Sequence, residues 1–416
     1  MFTFDAQTLL MLSYMRRIIT LSLSMLLVYS SLACTTAIIS GKYTADGRPI
    51  LWKLRDTDEF QNKLRYFTDG KYAYLGLVNT SDTQGTQVWG GFNRTGFAIM
   101  NSASYNTNLT DTSKFADQEG RIMKLALQQC ATLADFEQLL ASLPKPMGLN
   151  ANFGVIDANG GAAYYETDNY TFVKFDTNDP VVAPNGYIIR TNFSFTGKKD
   201  VGYGFIRYQS ATELFSNADA RGDLSLEMIY STFSRSMYNS LLGVDYATNV
   251  PQQTKGSFIA AEDLLCRYAT ASNIVVHGVK PGENANLTTM WAQVAFPLTT
   301  VNIPVWLTPN GDLPSVVSSK NDQHVLLADY GMALKSRIFP IERGSGSKYF
   351  DMAIYQNSTN GGIRSQIERM EAAVVSKANT EFTKWRSTGI NPKQVKDFYD
   401  WVDSYVEKEY KEAFGL

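Results

Sequence analysis

The sequence predicts an α+β protein built from layers of largely antiparallel sheet. Three observations lead there. Short apolar runs rich in β-branched and aromatic residues recur between Gly, Asn and Asp turn signals. Segments of helical period come in blocks between groups of strands, so strand and helix do not alternate strictly. The aromatic content, 23 Tyr and 23 Phe, suits a sheet-rich chain.

Taken in order, Thr35 to Ser40 is a β-branched, apolar strand candidate, followed by the turn-rich Thr44-Ala45-Asp46-Gly47-Arg48-Pro49. A second apolar run, Ile50-Leu51-Trp52, continues to Arg55. Two strands about an Asp-Gly turn predict a hairpin. Its open ends are neighbours, so Arg55 and Asp58 return close to Cys34. Further strands are expected over Tyr72 to Val78, Thr86 to Trp89 and Phe97 to Met100, with Gly90-Gly91 and Asn93-Arg94-Thr95-Gly96 as turns.

Helices are expected over Ile122 to Ala131 and Leu133 to Leu143, with Thr132 as N-cap and Pro144 beyond the end. Phe153 to Asp157 and Ala162 to Glu166 flank Asn159-Gly160-Gly161 as a second hairpin, and Thr171 to Phe175 extends it. Tyr187 to Arg190 reads as a strand. Tyr203 to Phe215 and Leu224 to Phe233 read as helices. Ile274 to Val276, Met290 to Phe296 and Ile303 to Leu307 return to strand.

Gly344-Ser345-Gly346-Ser347 is expected as a flexible break. Beyond it Ile363, Ile367, Met370 and Val374, then Val395, Phe398, Val402 and Tyr405, recur at helical spacing. Asn391-Pro392 opens the second of these helices. Residues 361–416 therefore read as a helical hairpin whose apolar stripes are packing faces.

A net charge of -2, from 38 basic and 40 acidic residues, argues against a nucleic-acid partner, whose phosphates require a basic surface. Arg16-Arg17, the apolar Ile18 to Tyr29 and the small-residue Ser31-Leu32-Ala33 form a secretory signal, with Met15 as the expected start and cleavage after Ala33. The apolar stretch is short for a membrane span. The predicted organisation is a signal peptide over 1–33, a catalytic domain over 34–345 and a C-terminal helical extension over 346–416. The expected location is the periplasm or cell envelope. A lipoprotein reading, with Cys34 acylated as an anchor, competes with plain cleavage. It would make the chain an envelope binding protein.

The three cysteines, 34, 130 and 266, are too few for a disulfide framework. Cys130 and Cys266 lie in apolar helix-like contexts and read as buried small hydrophobes. The two histidines, His277 and His324, read as structural or surface residues, and no Cys/His spacing suggests zinc.

Cleavage after Ala33 would leave Cys34 with a thiol and a free α-amine on one residue, a nucleophile carrying its own base. An α-amine with a reference pKa of about 7.7 can take the thiol proton at neutral pH. A nearby Arg stabilises the resulting anion, and a nearby carboxylate can orient the amine. Arg55 and Asp58 are placed for these tasks by the hairpin. Asn101 and Asn192, each following a strand, are candidate donors to an oxyanion.

Cys34-Thr35-Thr36, Asp46-Gly47 and Arg55-Asp56-Thr57-Asp58 together resemble the opening of the choloylglycine hydrolase and penicillin acylase group of N-terminal nucleophile (Ntn) hydrolases. Gly91 to Asn101 resembles its Asn-x-x-Gly strand leading to an Asn, and Ile189 to Phe193 its Thr-Asn segment. Ile206-Arg207-Tyr208 falls where that group carries another Arg. The opening is also similar to the acyl-CoA:6-aminopenicillanate acyltransferase branch. The likeness spans residues 34 to about 310.

The resemblance implies a four-layer αββα sandwich of two antiparallel sheets. It implies Cys34 as nucleophile, its amine as base, Arg55 beside the sulfur and Asp58 on the amine. Asn192 and Asn101 serve the oxyanion, and Arg207 completes the network. The implied activity is hydrolysis of a linear C–N amide of a small N-acyl compound through a thioester, or acyl transfer from the same thioester. The implied partner besides substrate is signal peptidase, no cofactor is implied, and homo-oligomerisation is left open. Trp52-Lys53-Leu54 departs from the group, which has Gly just before the Arg. The helical extension also lies outside its shared core.

Overall fold

The computed structural model describes residues 33–113, 115–319 and 324–416. The expected signal segment lies outside the described residues apart from Ala33. The strands are β1 (Cys34–Ile39), β2 (Ile50–Asp56), β3 (Asn62–Phe67), β4 (Tyr74–Asn79), β5 (Gly90–Asn93) and β6 (Ala98–Ala103), followed by helices α1 (Glu119–Gln129) and α2 (Leu133–Ser142). Next come β7 (Ala151–Ile156), β8 (Ala162–Thr167), β9 (Phe172–Asp176), β10 (Tyr187–Arg190) and α3 (Phe205–Ala220). Short strands β11 (Tyr238–Asn239), β12 (Val244–Asp245) and β13 (Phe258–Ala260) lead to β14 (Thr270–His277), β15 (Thr289–Gln293) and β16 (Ile303–Val305). The chain ends with α4 (Leu326–Ile338), β17 (Tyr349–Asp351), α5 (Met352–Tyr355), α6 (Gly362–Thr388) and α7 (Pro392–Phe414).

Two antiparallel sheets dominate. One has the order β10-β1-β2-β14-β15-β16, and the other is a meander from β3 to β9. Every residue of β1, β2 and β14 is buried, which requires cover on both faces of the first sheet. Ile38, Leu51, Met100, Ile156 and Tyr164 share the core that includes the space between the sheets. Outside the first sheet, Trp52 stacks on Phe215 of α3 with ring centroids 5.8 Å apart. Outside the second, Phe97, Ile99, Phe153 and Tyr165 pack with Phe136 of α2 in a separate core. The result is the expected αββα order of layers. Thr132 caps α2 through a capping box closed by Asp135, as the sequence suggested for this boundary.

The C-terminal helices cover the β16 end of the first sheet. Trp306, just past β16, meets Trp385 of α6 edge-on at 5.0 Å, and its backbone N–H donates to Tyr399 Oη of α7 at 2.8 Å. Glu371 of α6 takes Arg235 Nη1 and Nη2, at 2.7 and 2.6 Å, and the Asn302 N–H at 2.8 Å. Covering an edge strand in this way removes a template for wrong pairing. The stripes expected on these helices are packing faces: Ile363, Ile367, Met370, Val374, Val395, Phe398 and Val402 are buried, and Tyr405 is half-buried.

Some expectations were displaced. Thr86 to Trp89 is irregular, and the strand is Gly90–Asn93, where two glycines suggested a turn. A Cβ on Gly91 would stand 2.1 Å from the Leu75 carbonyl oxygen, so the sheet itself requires glycine there. β3 was missed because its Asn62-Lys63-Leu64-Arg65 run is polar, as suits an edge strand. Leu224 to Phe233 forms only a short helical stretch ending in a π-helical turn over Met228–Thr232. Helix α4 was not foreseen. It carries Gly331 in its middle, where a Cβ would meet Thr300 Cγ2 at 2.6 Å. The expected flexible break at 344–347 contains a turn in which Lys348 N–H donates to Ser345 O at 2.9 Å, and Gly346 is buried.

Candidate active site

The β1–β2 register sets the site. Cys34 pairs with Arg55 and Thr36 with Lys53. Residues directly opposite in an antiparallel pair share a face, and so do residues two apart on one strand. Cys34, Lys53 and Arg55 therefore lie on one face of the sheet. The ladder continues upstream of Cys34, since Asp56 N–H donates to Ala33 O at 2.8 Å.

Cys34 is buried at 6% exposure at the wall of a cavity of about 230 Å³. Lys53, Arg55, Trp89, Asn101 and Glu119 also line it, with Asp58, Glu59 and Asp117. The Cys34 N–H donates to Asn192 Oδ1 at 2.8 Å. Arg207, reaching from α3, donates to the same Oδ1 at 2.8 Å, to Cys34 O at 2.8 Å and to Thr35 Oγ1 at 3.0 Å. Two donors on one atom fix the Asn192 amide, because each of them must meet oxygen. Asn192 Nδ2 donates to Ala103 O at 2.9 Å.

Arg55 Nη1 donates to Asn62 Oδ1 at 2.5 Å, and its guanidinium lies 4.6 Å from the Trp89 ring centroid. Lys53 Nζ donates to Trp89 O and to Asn101 Oδ1, both at 2.7 Å. Asp56, the carboxylate next in sequence, is occupied elsewhere by Arg267 Nε and Thr270 Oγ1, each at 2.7 Å. Among the described residues none of Lys53, Arg55 and Arg207 makes an ion pair. All three are buried. Burial holds Lys53 down to about 8 and Arg55 and Arg207 down to about 10. Three buried cations held by neutral acceptors form a field that favours negative charge on sulfur or on a substrate oxygen.

All six residues singled out in the sequence meet here. Cys34, Arg55, Asp58 and Asn101 line the cavity, and Asn192 and Arg207 hold the Cys34 main chain. With Ala33 still joined to Cys34, the contacts of the Cys34 main chain are these. Asn192 Oδ1 takes the Cys34 nitrogen, whereas Asp58 is exposed, with Thr57 Oγ1 3.3 Å from its Oδ1. Lys53, Trp89, Asn62 and Glu119 were not foreseen. A lysine inside the apolar run Ile50 to Leu54 was the available signal, since a charge on a doubly covered strand must face something polar.

Cys130 and Cys266 are buried, and burial pushes the Cys130 thiol up to about 12 and raises that of Cys266. His277 Nε2 lies 3.0 Å from Asp46 Oδ2 in the β1–β2 turn region, and His324 is exposed. Neither histidine is in the cavity.

No family model and no curated protein matches the chain. Among solved structures it is similar to conjugated bile acid hydrolase from Clostridium perfringens, at 13% identity and a TM-score of 0.39, over 67% of this chain and 93% of that one. It is similar to penicillin V acylase from Agrobacterium tumefaciens at 12% identity and a TM-score of 0.33, over 67% and 86% of the two chains. It is also similar to the Caenorhabditis elegans ortholog of N-acylethanolamine-hydrolyzing acid amidase at 16% identity and a TM-score of 0.34, over 44% and 79%. These likenesses are distant, and what each of those enzymes acts on is a property of that enzyme.

Proposed function

We propose that the chain is an exported Ntn-type cysteine amidase that cleaves the linear C–N amide of a small N-acyl compound. The observation that carries this reading is Cys34 at the head of β1, its nitrogen on Asn192 Oδ1 and three buried cations, Lys53, Arg55 and Arg207, whose hydrogen bonds among the described residues all go to neutral acceptors. Signal peptidase would cut after Ala33 and free the Cys34 amine. The amine takes the thiol proton, and sulfur attacks the substrate carbonyl carbon. The oxyanion is stabilised by donors at the cavity wall. Collapse breaks the C–N bond, and the departing amine leaves with the proton. Water then attacks the thioester, the C–S bond breaks, and a carboxylic acid is released. An acceptor amine in place of water gives acyl transfer from the same intermediate. No step uses a metal or organic cofactor. The working compartment in this reading is the periplasm or cell envelope.

The test is a panel of N-acyl amides offered to the protein isolated from its host, with trapping of the acyl group on Cys34 by mass spectrometry. The expected results are an unmodified chain beginning at Cys34, an acyl adduct on that residue, and loss of turnover in Cys34→Ser. A diacylglyceryl mass on Cys34, or undiminished turnover in Cys34→Ser, would sink the reading.

A further inference from the structure

We propose that Lys53 is a positioning residue: its ammonium holds Asn101 Oδ1, and so turns the Asn101 amide nitrogen into the Cys34 cavity as an oxyanion donor. The inference rests on the amidase reading for its meaning and on three observations for its geometry.

The first is the direction of a hydrogen bond. A lysine ammonium only donates. The Asn101 atom 2.7 Å from Lys53 Nζ is therefore the oxygen, and the orientation of the amide is fixed by chemistry. The second is where the other end of that amide lies. Asn101 lines the cavity with Cys34, and among the described residues no acceptor takes its Nδ2. A polar N–H₂ group at the wall of a cavity beside a nucleophile is what a developing oxyanion requires.

The third is the cost of Lys53 itself. The side chain is 1% exposed, and both of its acceptors, Trp89 O and Asn101 Oδ1, are neutral. A buried ammonium facing only neutral oxygens is expensive, and a methionine would fill the same space without that cost. The expense is offset when negative charge appears in the neighbouring cavity, as it does on sulfur and then on the carbonyl oxygen during acylation. At pH 7 the group stays charged for this task, because burial brings it only to about 8. Lys53 also holds the Trp89 carbonyl, and the Trp89 ring is the shelf for the Arg55 guanidinium. One ammonium thus ties the β6 donor and the Arg55 shelf to the strand that pairs with Cys34.

The test compares two reactions of Cys34. Acylation by p-nitrophenyl acetate passes through an oxyanion: sulfur bonds to the carbonyl carbon and p-nitrophenolate leaves. Alkylation by iodoacetamide displaces iodide and forms no oxyanion. Both consume the thiolate, so the ratio of their rates isolates oxyanion stabilisation. Lys53→Met is expected to lower the acylation-to-alkylation ratio by about 10²-fold, the usual effect of losing one such donor. Asn101→Asp is expected to lower it equally. That variant gives Lys53 a carboxylate partner, so it keeps the fold, but it has no N–H to offer. The double variant is expected to lose no more than either single one, because the two residues act as one unit.

An unchanged ratio in Lys53→Met or in Asn101→Asp overturns the proposal, and so do losses that multiply in the double variant. The ratio is read with an activated ester. A wild-type protein that turns over no amide therefore counts against the amidase reading, while the ratio still decides the role of Lys53.

Discussion

Arg55 faces Cys34 directly across the β1–β2 ladder, and its guanidinium is fixed between Asn62 Oδ1 and the Trp89 ring. Both of these supports are neutral. No carboxylate among the described residues reaches ion-pair distance of the guanidinium, although Asp58 and Glu59 line the same cavity, so its charge bears on negative charge that forms at the neighbouring sulfur.

Arg55→Gln removes that charge while keeping a side chain able to reach Asn62. Alkylation of Cys34 by iodoacetamide at pH 7 is expected to slow by about 10- to 100-fold, because the facing cation stabilises the negative charge of the attacking sulfur. A rate equal to wild type at pH 7 would show that Arg55 serves only to fill the space beside Trp89.

Arg207 makes a different prediction. It satisfies Cys34 O, Thr35 Oγ1 and Asn192 Oδ1 at once, from a helix on the outer face of the sheet. Arg207→Met leaves buried acceptors short of donors, at about 1–3 kcal/mol for each one left unsatisfied. The denaturation midpoint should fall. Amide turnover measured well below that midpoint should fall further than the unfolded fraction explains, because the Asn192 amide is no longer fixed against the Cys34 nitrogen. Equal losses in stability and in turnover would reduce Arg207 to a structural brace.

How much of this was legible in the sequence differs by element. The β1–β2 hairpin could be read because its strands are apolar and its turn carries Asp46-Gly47, and the hairpin alone brought Arg55 to Cys34. Asn192 is legible as a donor after a strand, but its tie to Cys34, and Arg207 altogether, come only through resemblance, since 158 and 173 residues separate them from Cys34 and no local pattern links them. Strand β5 was misplaced because its glycines answer to a neighbouring strand, Gly91 lying against Leu75. Lys53 was visible as a charge in an apolar run. What it holds, Asn101 across the gap between the sheets, exists only once both sheets are folded.

Glu119 offers a pH test within the cavity wall. It opens α1 and takes the Asn150 N–H at 2.9 Å through Oε1. A helix N-terminus favours its charge, but burial prevails and raises its pKa from 4.5 to about 7. Between these values the folded chain holds a proton that the unfolded chain has lost. The contribution of Glu119 is therefore fully present below pH 4.5 and is lost as pH rises through 7, by up to about 3 kcal/mol. Glu119→Gln keeps the acceptor and removes the titration. Its urea midpoint should exceed that of wild type at pH 8 and approach it at pH 4.5. A gap of the same size at both pH values would contradict this.

Lys335 gives the opposite slope from a different place. Its ammonium, on α4, lies 3.6 Å from the Phe60 ring centroid, 4.4 Å from that of Tyr268 and 5.1 Å from that of Phe296. Among the described residues it has no hydrogen-bond partner. Burial lowers its pKa from 10.5 to about 7. In the unfolded chain the group keeps its proton up to 10.5, so between the two values the unfolded state binds more protons and stability rises with pH. Its full contribution is present above pH 10.5 and is lost as pH falls through 7. The aromatic faces return about 1–2 kcal/mol of that loss through cation–π attraction. Lys335→Met fills a similar volume, keeps favourable contact with the rings and removes the buried charge. The variant should be the more stable by about 2 kcal/mol at pH 6, the titration loss outweighing the cation–π return. That advantage should narrow steadily as the pH is raised toward 10, read from urea midpoints at each pH. A variant less stable than wild type at pH 6 would mean that the three rings stabilise the ammonium by more than its burial costs.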